Sequence, residues 1–145
     1  MDIRPDPTPR QRVEAECGRR GRVAFVAGCV RLLGGDDGDA GLISVLGGRT
    51  AQWALDPMRG AEQRYWFRVW AARGLLWAWE DSARDAIVAA LRDEAWRVRE
   101  MAAKVVARHV IGDALGAVVA LREDPVERVR LAAGRAVRRI TEAGA

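Results

Sequence analysis

Very few side chains in this chain are of the types that carry acid–base or nucleophilic chemistry. His109 is the only histidine, and Cys17 and Cys29 are the only cysteines. A Ser-His-Asp or Cys-His device would have to use His109, which falls near the end of a long predicted helix on its inward side, without an aligned partner. The cysteine spacing fits neither a zinc cluster nor a redox pair. We therefore expect no catalytic residue: His109 packs or caps a helix, and both cysteines are free thiols that serve as small apolar groups.

Acidic and glycine-rich segments are the next candidates for chemistry. Asp36-Asp37-Gly38-Asp39 begins like a calcium-binding loop but lacks the later ligands and the final glutamate of such a loop. Gly34-Gly35 and Gly47-Gly48 lack the order of a phosphate-binding motif. These segments predict turns, with Asp39 capping a short helix, and we expect neither a metal nor a cofactor.

Length and composition bound the class of protein. The chain has 145 residues, enough for one domain, with 24 basic and 20 acidic residues and a net charge of +4. All but one of the basic residues are arginine, which is typical of a GC-rich genome and weakens a nucleic-acid interpretation of the charge.

No apolar run approaches the roughly 18 residues of a membrane span. The first ten residues contain three prolines and no apolar signal stretch, so we expect a cytoplasmic protein without a membrane partner.

The helices that must position any binding site repeat at a fixed interval. Phe67-Arg68 recurs as Val98-Arg99 and again as Val129-Arg130, each time 31 residues later. The same interval relates Arg73 to Lys104 and Arg135, and Ala71 to Ala102 and Ala133. A period of this size indicates stacked helical units that each bury one face against a neighbour.

Three regions follow from this repeat: a flexible leader over residues 1–7, divergent helical repeats or a cap over 8–60, and regular repeats ending in a capping helix over 61–145. In the second region, the pattern predicts helices from Thr8 to about Cys17 and at 20–33, 39–46 and 49–55. In the third, long helices are expected from Glu62 to about Trp79 and at 94–110 and 126–141, with shorter ones at 82–92 and 113–122.

Helical spacing also predicts which sides of the long helices face the core. Val98 and Ala102 share one face, as do Val129 and Ala133 one period later. The helix that begins near Glu62 is apolar on both sides, as a unit between two neighbours requires. The last helix directs arginines outward and is interpreted as a cap.

An acidic residue lies six positions before each repeated arginine. Such an acid stands at the turn before a long helix, where it can cap the helix or reach an arginine of the same or an adjacent unit. We predict a structural ladder formed by Glu62, Arg68, Asp93, Arg99, Asp124 and Arg130.

These residues carry a resemblance to a known family. Asp124-Pro125-Val126 followed by Val129-Arg130, and Asp93 followed by Val98-Arg99, resemble the signature of HEAT repeats of the short, phycobilin-lyase type. The resemblance covers residues 62–141 well and the first 60 loosely. It implies an all-α fold, a right-handed α-solenoid of stacked antiparallel helix pairs. It does not fix a function, because HEAT arrays serve as scaffolds, adaptors, enzyme subunits and nucleic-acid binders.

Two groups of residues are candidates for contact with a partner. Tyr65 and Trp96 occupy equivalent positions beside Arg64 and Arg97, and aromatic residues next to arginine are typical of protein interfaces. Packing between adjacent units is the alternative role for these rings. In the last helix, an arginine stripe that includes Arg135 and Arg138 either faces solvent or contacts an anionic partner.

Three functions remain open at this point. The first is a non-catalytic scaffold or adaptor whose short helices, rich in small residues such as Ala86, Ala89 and Gly116, line a groove for a protein or peptide. The second is nucleic-acid binding, as in HEAT-like DNA glycosylases. The third, action on a bilin chromophore, follows only from the name of the repeat type.

Overall fold

The computed structural model describes residues 4–58 and 63–144, and all of the regular structure in these ranges is helical. The all-α class is therefore confirmed. Residues 1–3 of the predicted leader and Glu62 of the predicted ladder lie outside the described residues. No helix in the described ranges combines the length and the apolar character needed to cross a lipid bilayer.

The helices are α1 (Pro9–Arg20), α2 (Arg22–Leu33), α3 (Ala40–Gly47), α4 (Arg49–Ala54), α5 (Tyr65–Gly74), α6 (Arg84–Ala90), α7 (Trp96–His109), α8 (Leu115–Ala120) and α9 (Glu127–Ala143).

Local signals define the N-terminal helices. Thr8 and Gln11 form a reciprocal capping box at the start of α1, with Pro9 in the first helical position. The helix continues past its predicted end at Cys17, because the backbone reverses only at Gly21, whose φ of 90° favours glycine. The carboxylate of Asp39 accepts a hydrogen bond from the backbone N–H of Leu42 and caps α3 as predicted.

The prediction that a helix runs to about Trp79 is wrong: α5 ends at Gly74. Gly74 packs so closely that a Cβ atom there would lie 3.0 Å from Leu46 and 3.3 Å from Phe25. After it the chain turns through short-range backbone hydrogen bonds, which carries Leu75 into the core at 0% exposure. Periodicity missed this turn because the apolar residues beyond it keep helical spacing.

The long helices pack on one another in chain order. Helix α2 packs on α5, α5 on α7 and α7 on α9, while the short helices α6 and α8 lie against α7 and α9. Val98, Ala102, Val129 and Ala133 are all 0% exposed, which confirms the predicted inward faces. Burial of apolar area at these contacts is the main stabilising contribution, at about 25 cal/mol per Å².

The two sides of α5 and α9 differ as the apolar pattern predicts. Both sides of α5 are buried, with Phe67 and Ala71 on one side and Val69 and Ala72 on the other. Helix α9 buries one side only. Its outer side is exposed and carries arginines at positions 128, 135, 138 and 139.

The two free cysteines should differ sharply in reactivity. Burial raises the pKa of both thiols: that of Cys29, which is fully buried in the core, to about 12, and also that of Cys17, which is half-buried. Because the thiolate is the reactive species, we expect a disulfide-exchange reagent at pH 8 to label Cys17 faster than Cys29, which reacts only as fast as the core opens. Mass spectrometry of the labelled chain, with and without urea, measures this. Equal labelling of both thiols in the native protein would contradict it.

Candidate binding face across three helices

Two arginine–aspartate pairs join successive 31-residue repeats of the sequence, which we call units. Arg68 donates from Nε and Nη2 to the two carboxylate oxygens of Asp93, at 2.8 and 3.1 Å. Arg99 donates to both oxygens of Asp124 in the same way, at 2.8 and 3.2 Å. In both pairs the arginine belongs to one unit and the acid to the next, 25 residues further along the chain. Bidentate geometry of this kind fixes position as well as charge.

Each aspartate also stabilises the turn in which it lies. One oxygen of Asp93 accepts a hydrogen bond from the N–H of Ala95, and one oxygen of Asp124 accepts from the N–H of Val126, both at 2.9 Å. Arg99, six residues after Asp93, donates to the backbone carbonyl of Asp93 at 2.8 Å and not to its carboxylate. Arg130 does the same at Asp124, at 2.7 Å. The five ladder residues that the structure describes therefore hold helices and turns in register.

The electrostatics of Asp124 reflect this pairing. Burial opposes ionisation of the carboxyl group, but the hydrogen bonds from Arg99 and from the N–H of Val126 outweigh it. The pKa of Asp124 consequently lies below its ordinary value, and the group is ionised at neutral pH.

The predicted aromatic residues form a stack along the N-terminal ends of α5 and α7. Tyr65 stacks on Trp66 with 5.2 Å between ring centroids. The guanidinium of Arg97 lies 5.2 Å from the centroid of the Trp66 ring and 4.4 Å from that of the Trp96 ring. The guanidinium of Arg128 also lies over the Trp96 ring, at 5.2 Å. The three rings are half-buried, and those of Trp66 and Trp96 contact arginine side chains. Packing between units thus occupies much of their surface.

Arg64 does not belong to this stack. It is exposed and forms an ion pair with Asp37 at 3.2 Å. An exposed pair of this kind contributes little to stability. Of the four residues grouped at this edge by sequence, the structure brings Tyr65, Trp96 and Arg97 together with Trp66.

A groove of about 380 Å³ lies between α7 and α9, near their C-terminal halves. We call it the basic groove. Its lining combines cationic side chains, an apolar floor and one acid: Lys104, Arg108, Arg135, Arg138 and Arg139; Leu76, Ala107 and Ala132; and Glu142. Arg135 and Arg138 were expected here from sequence. The cations that α7 contributes, Lys104 and Arg108, were not predicted. The 31-residue interval nevertheless relates Lys104 to Arg135 and Arg108 to Arg139.

The four arginines of the basic groove have no side-chain partner among the described residues, as is also true of Arg92 and Arg122, but here the four lie together around one groove. Lys104 lies 3.7 Å from Glu100, but within residues 4–58 and 63–144 the side chains of the four groove arginines make no hydrogen bond or ion pair. Elsewhere many arginines pair with carboxylates: Arg19, Arg20, Arg22, Arg68, Arg84, Arg99 and Arg128. Uncompensated charge on one face creates a positive potential that attracts anionic groups.

The residues considered for chemistry make local contacts within the fold. The Nε2–H of His109 donates to the carbonyl of Leu75 at 2.7 Å, and the imidazole stacks on Trp79 with 4.6 Å between centroids. Burial lowers the pKa of His109, so the ring is neutral at pH 7. In the acidic loop, Asp36 accepts from the N–H of Gly38, and Asp39 caps α3. No group of three or more metal-binding side chains occurs in the described part of the chain.

Comparisons with known proteins give no match: no family model matches the chain, and neither the curated proteins nor the solved structures contain a significant relative.

Proposed function

We propose that this chain is a cytoplasmic, non-catalytic adaptor, built as a right-handed α-solenoid of HEAT-like helix pairs, that binds an acidic segment of a partner protein in the basic groove. The observation that carries the proposal is the set of four unpaired arginines around an apolar floor. The solenoid arrangement is supported by the packing of α5, α7 and α9 in chain order and by the repeated pairs Arg68–Asp93 and Arg99–Asp124.

The chemistry of the partner follows from the lining. Five cations and one acid call for a segment with several carboxylates, which would also be steered toward the groove by long-range attraction. Leu76, Ala107 and Ala132 offer the floor to apolar side chains. An amphipathic acidic helix satisfies both requirements, because one of its faces carries charge and the other apolar anchors at helical spacing.

Nucleic acid is the second candidate, and the same unpaired arginines favour it. The phosphates of a duplex would meet the cations, and binding would weaken steeply with salt. A phosphate backbone gains nothing from an apolar floor, however, and for this reason we place the protein partner first. The groove lies on the long helices and not on the short helices that the small residues of the sequence favoured.

A designed peptide tests the proposal directly. The probe is a labelled helix of about 15 residues with glutamates on one face and leucines on the other, measured by fluorescence anisotropy near physiological salt. We expect the double variant Arg135→Glu/Arg138→Glu to weaken binding at least about tenfold, or about 1.4 kcal/mol. A matched control is Arg92→Glu/Arg122→Glu, which changes the net charge equally at exposed positions outside the groove.

Three results would overturn the proposal. The first is absence of binding by the peptide, and the second is an equal loss of affinity in the control variant, which would mean that only net charge matters. The third is tighter binding of a 20-base-pair DNA duplex that depends on Arg135 and Arg138, which would establish the nucleic-acid alternative instead.

A further inference from the structure

A second cavity, of about 370 Å³, lies between α4 and α5, away from the basic groove. Its lining consists of three indole rings, one hydroxyl and one guanidinium: Trp53, Trp66, Trp70, Thr50 and Arg73. Trp66 is shared with the aromatic stack, whereas the ladder and the basic groove contain none of these residues. Concave sites that bind small molecules typically combine apolar walls of this size with a single, well-placed polar group.

Helix geometry and close packing fix the walls of this cavity. Trp66, Trp70 and Arg73 lie at helical spacing on one side of α5. The ring of Trp70 packs directly on Gly47, where a Cβ atom would lie 2.6 Å from the ring. On the α4 side, the hydroxyl of Thr50 donates to the carbonyl of Gly47 at 2.6 Å. The cavity is therefore held by elements on both sides before any ligand enters.

The cavity also has an uncompensated positive charge. Arg73 donates from Nη2 to the carbonyl of Leu46 at 2.7 Å, and Arg12 donates to the same carbonyl at 3.3 Å. In the described ranges, neither guanidinium has a carboxylate within ion-pair distance. Burial, together with the charge of Arg12, lowers the pKa of Arg73. A half-buried cation that contacts only carbonyls is stabilised by any anion that reaches it.

We propose that this cavity binds a small planar aromatic carboxylate. The ring system of the ligand packs between the indoles of Trp53, Trp66 and Trp70, and its carboxylate accepts charge-assisted hydrogen bonds from Arg73. A fused two-ring acid matches the volume and the single cation. This site is independent of the proposed adaptor function.

The test uses the full chain and 2-naphthoate as the probe. The indole N–H signals of the six tryptophans, assigned by single Trp→Phe variants, are followed by NMR during titration. We expect the signals of Trp53, Trp66 and Trp70 to shift together while that of Trp96 stays in place. The uncharged 2-naphthamide and the non-aromatic cyclohexane carboxylate are expected to bind at least about tenfold more weakly, because each lacks one of the two recognised features.

Arg73→Gln is expected to weaken naphthoate binding at least about tenfold, because an amide can still donate to Leu46 but carries no charge. Arg92→Gln removes an exposed cation outside both the cavity and the basic groove and is expected to leave affinity unchanged. If Arg73→Gln does not fold, Trp53→Leu takes its place, since Trp53 is 37% exposed at the rim. Full affinity in these variants, equal binding of the amide, or no shift of the three signals at millimolar naphthoate would each overturn the proposal.

Discussion

Replacing Arg99 with alanine is expected to lower the free energy of unfolding by about 3 kcal/mol. The change leaves Asp124, whose side chain is 5% exposed, without the cation that compensates its charge. It also removes the donor to the carbonyls of Asp93 and Glu94. Urea denaturation followed by tryptophan fluorescence measures the loss. Breaking a largely buried pair costs more than a surface pair because the remaining charge is desolvated.

Arg84→Ala is the matched control for this prediction. Arg84 also joins two units, through Asp113 at 3.0 Å, but both side chains are well exposed to water. We expect a far smaller loss of stability, because solvent screens such a pair. Similar losses in the two variants would show that burial does not set the strength of the Arg99–Asp124 contact.

Acid should reduce the contribution of the Arg99–Asp124 pair to the free energy of unfolding. The pKa of Asp124 lies below its ordinary 3.8 in the folded chain, so its stabilising effect is complete above about pH 5 and is lost as pH falls through the lowered value. The stability difference between the native sequence and Arg99→Ala should consequently narrow between pH 7 and pH 3. A constant difference over this range would contradict the assignment.

Trp70→Ala is expected to cost about 4 kcal/mol, the largest loss that we predict for a single substitution. The indole is only 6% exposed and is in contact with Phe67 and Trp66, at centroid distances of 6.0 and 6.4 Å. Truncation would leave a cavity at the junction of α3 and α5 that the surrounding backbone cannot fill. Calorimetry or urea denaturation measures the loss, and a cost below about 1 kcal/mol would mean that the junction collapses freely.

A double-mutant cycle with Gly47 isolates the contact beneath this ring. Gly47→Ala forces a methyl group against the ring and is expected to cost about 2 kcal/mol in the native background. The cost should be smaller in Trp70→Leu, which removes the clashing ring atoms. Gly116→Ala is the control, because nothing lies within 4 Å of the added methyl group. Additive effects of the Gly47 and Trp70 changes would contradict direct contact.

Periodicity predicted the helices and their inward faces because burial follows the apolar spacing within each helix. It placed Val98 and Ala133 in the core without any knowledge of their neighbours. It failed at the end of α5, where Gly74 meets Leu46 and Phe25 from distant parts of the chain. A helix end that depends on such tertiary contacts leaves no signal in local spacing.

The binding sites were harder to predict for the same reason. Arg135 and Arg138 share one helix and were visible in the sequence, but the groove also needs a wall from α7 and a floor from Leu76. For Arg73, sequence showed only the repeated cation and not the absence of a nearby carboxylate. Sites of this kind depend on which faces of separate helices meet.

The repeated arginine–aspartate contacts have a mechanical consequence. Helix α7 takes part in two of them, since Asp93 just before it binds Arg68 of α5 and its own Arg99 binds Asp124 just before α9. A displacement of α9 is therefore transmitted through rigid, two-point connections to α7 and onward to α5. The three long helices are thereby joined in one continuous series near their N-terminal ends.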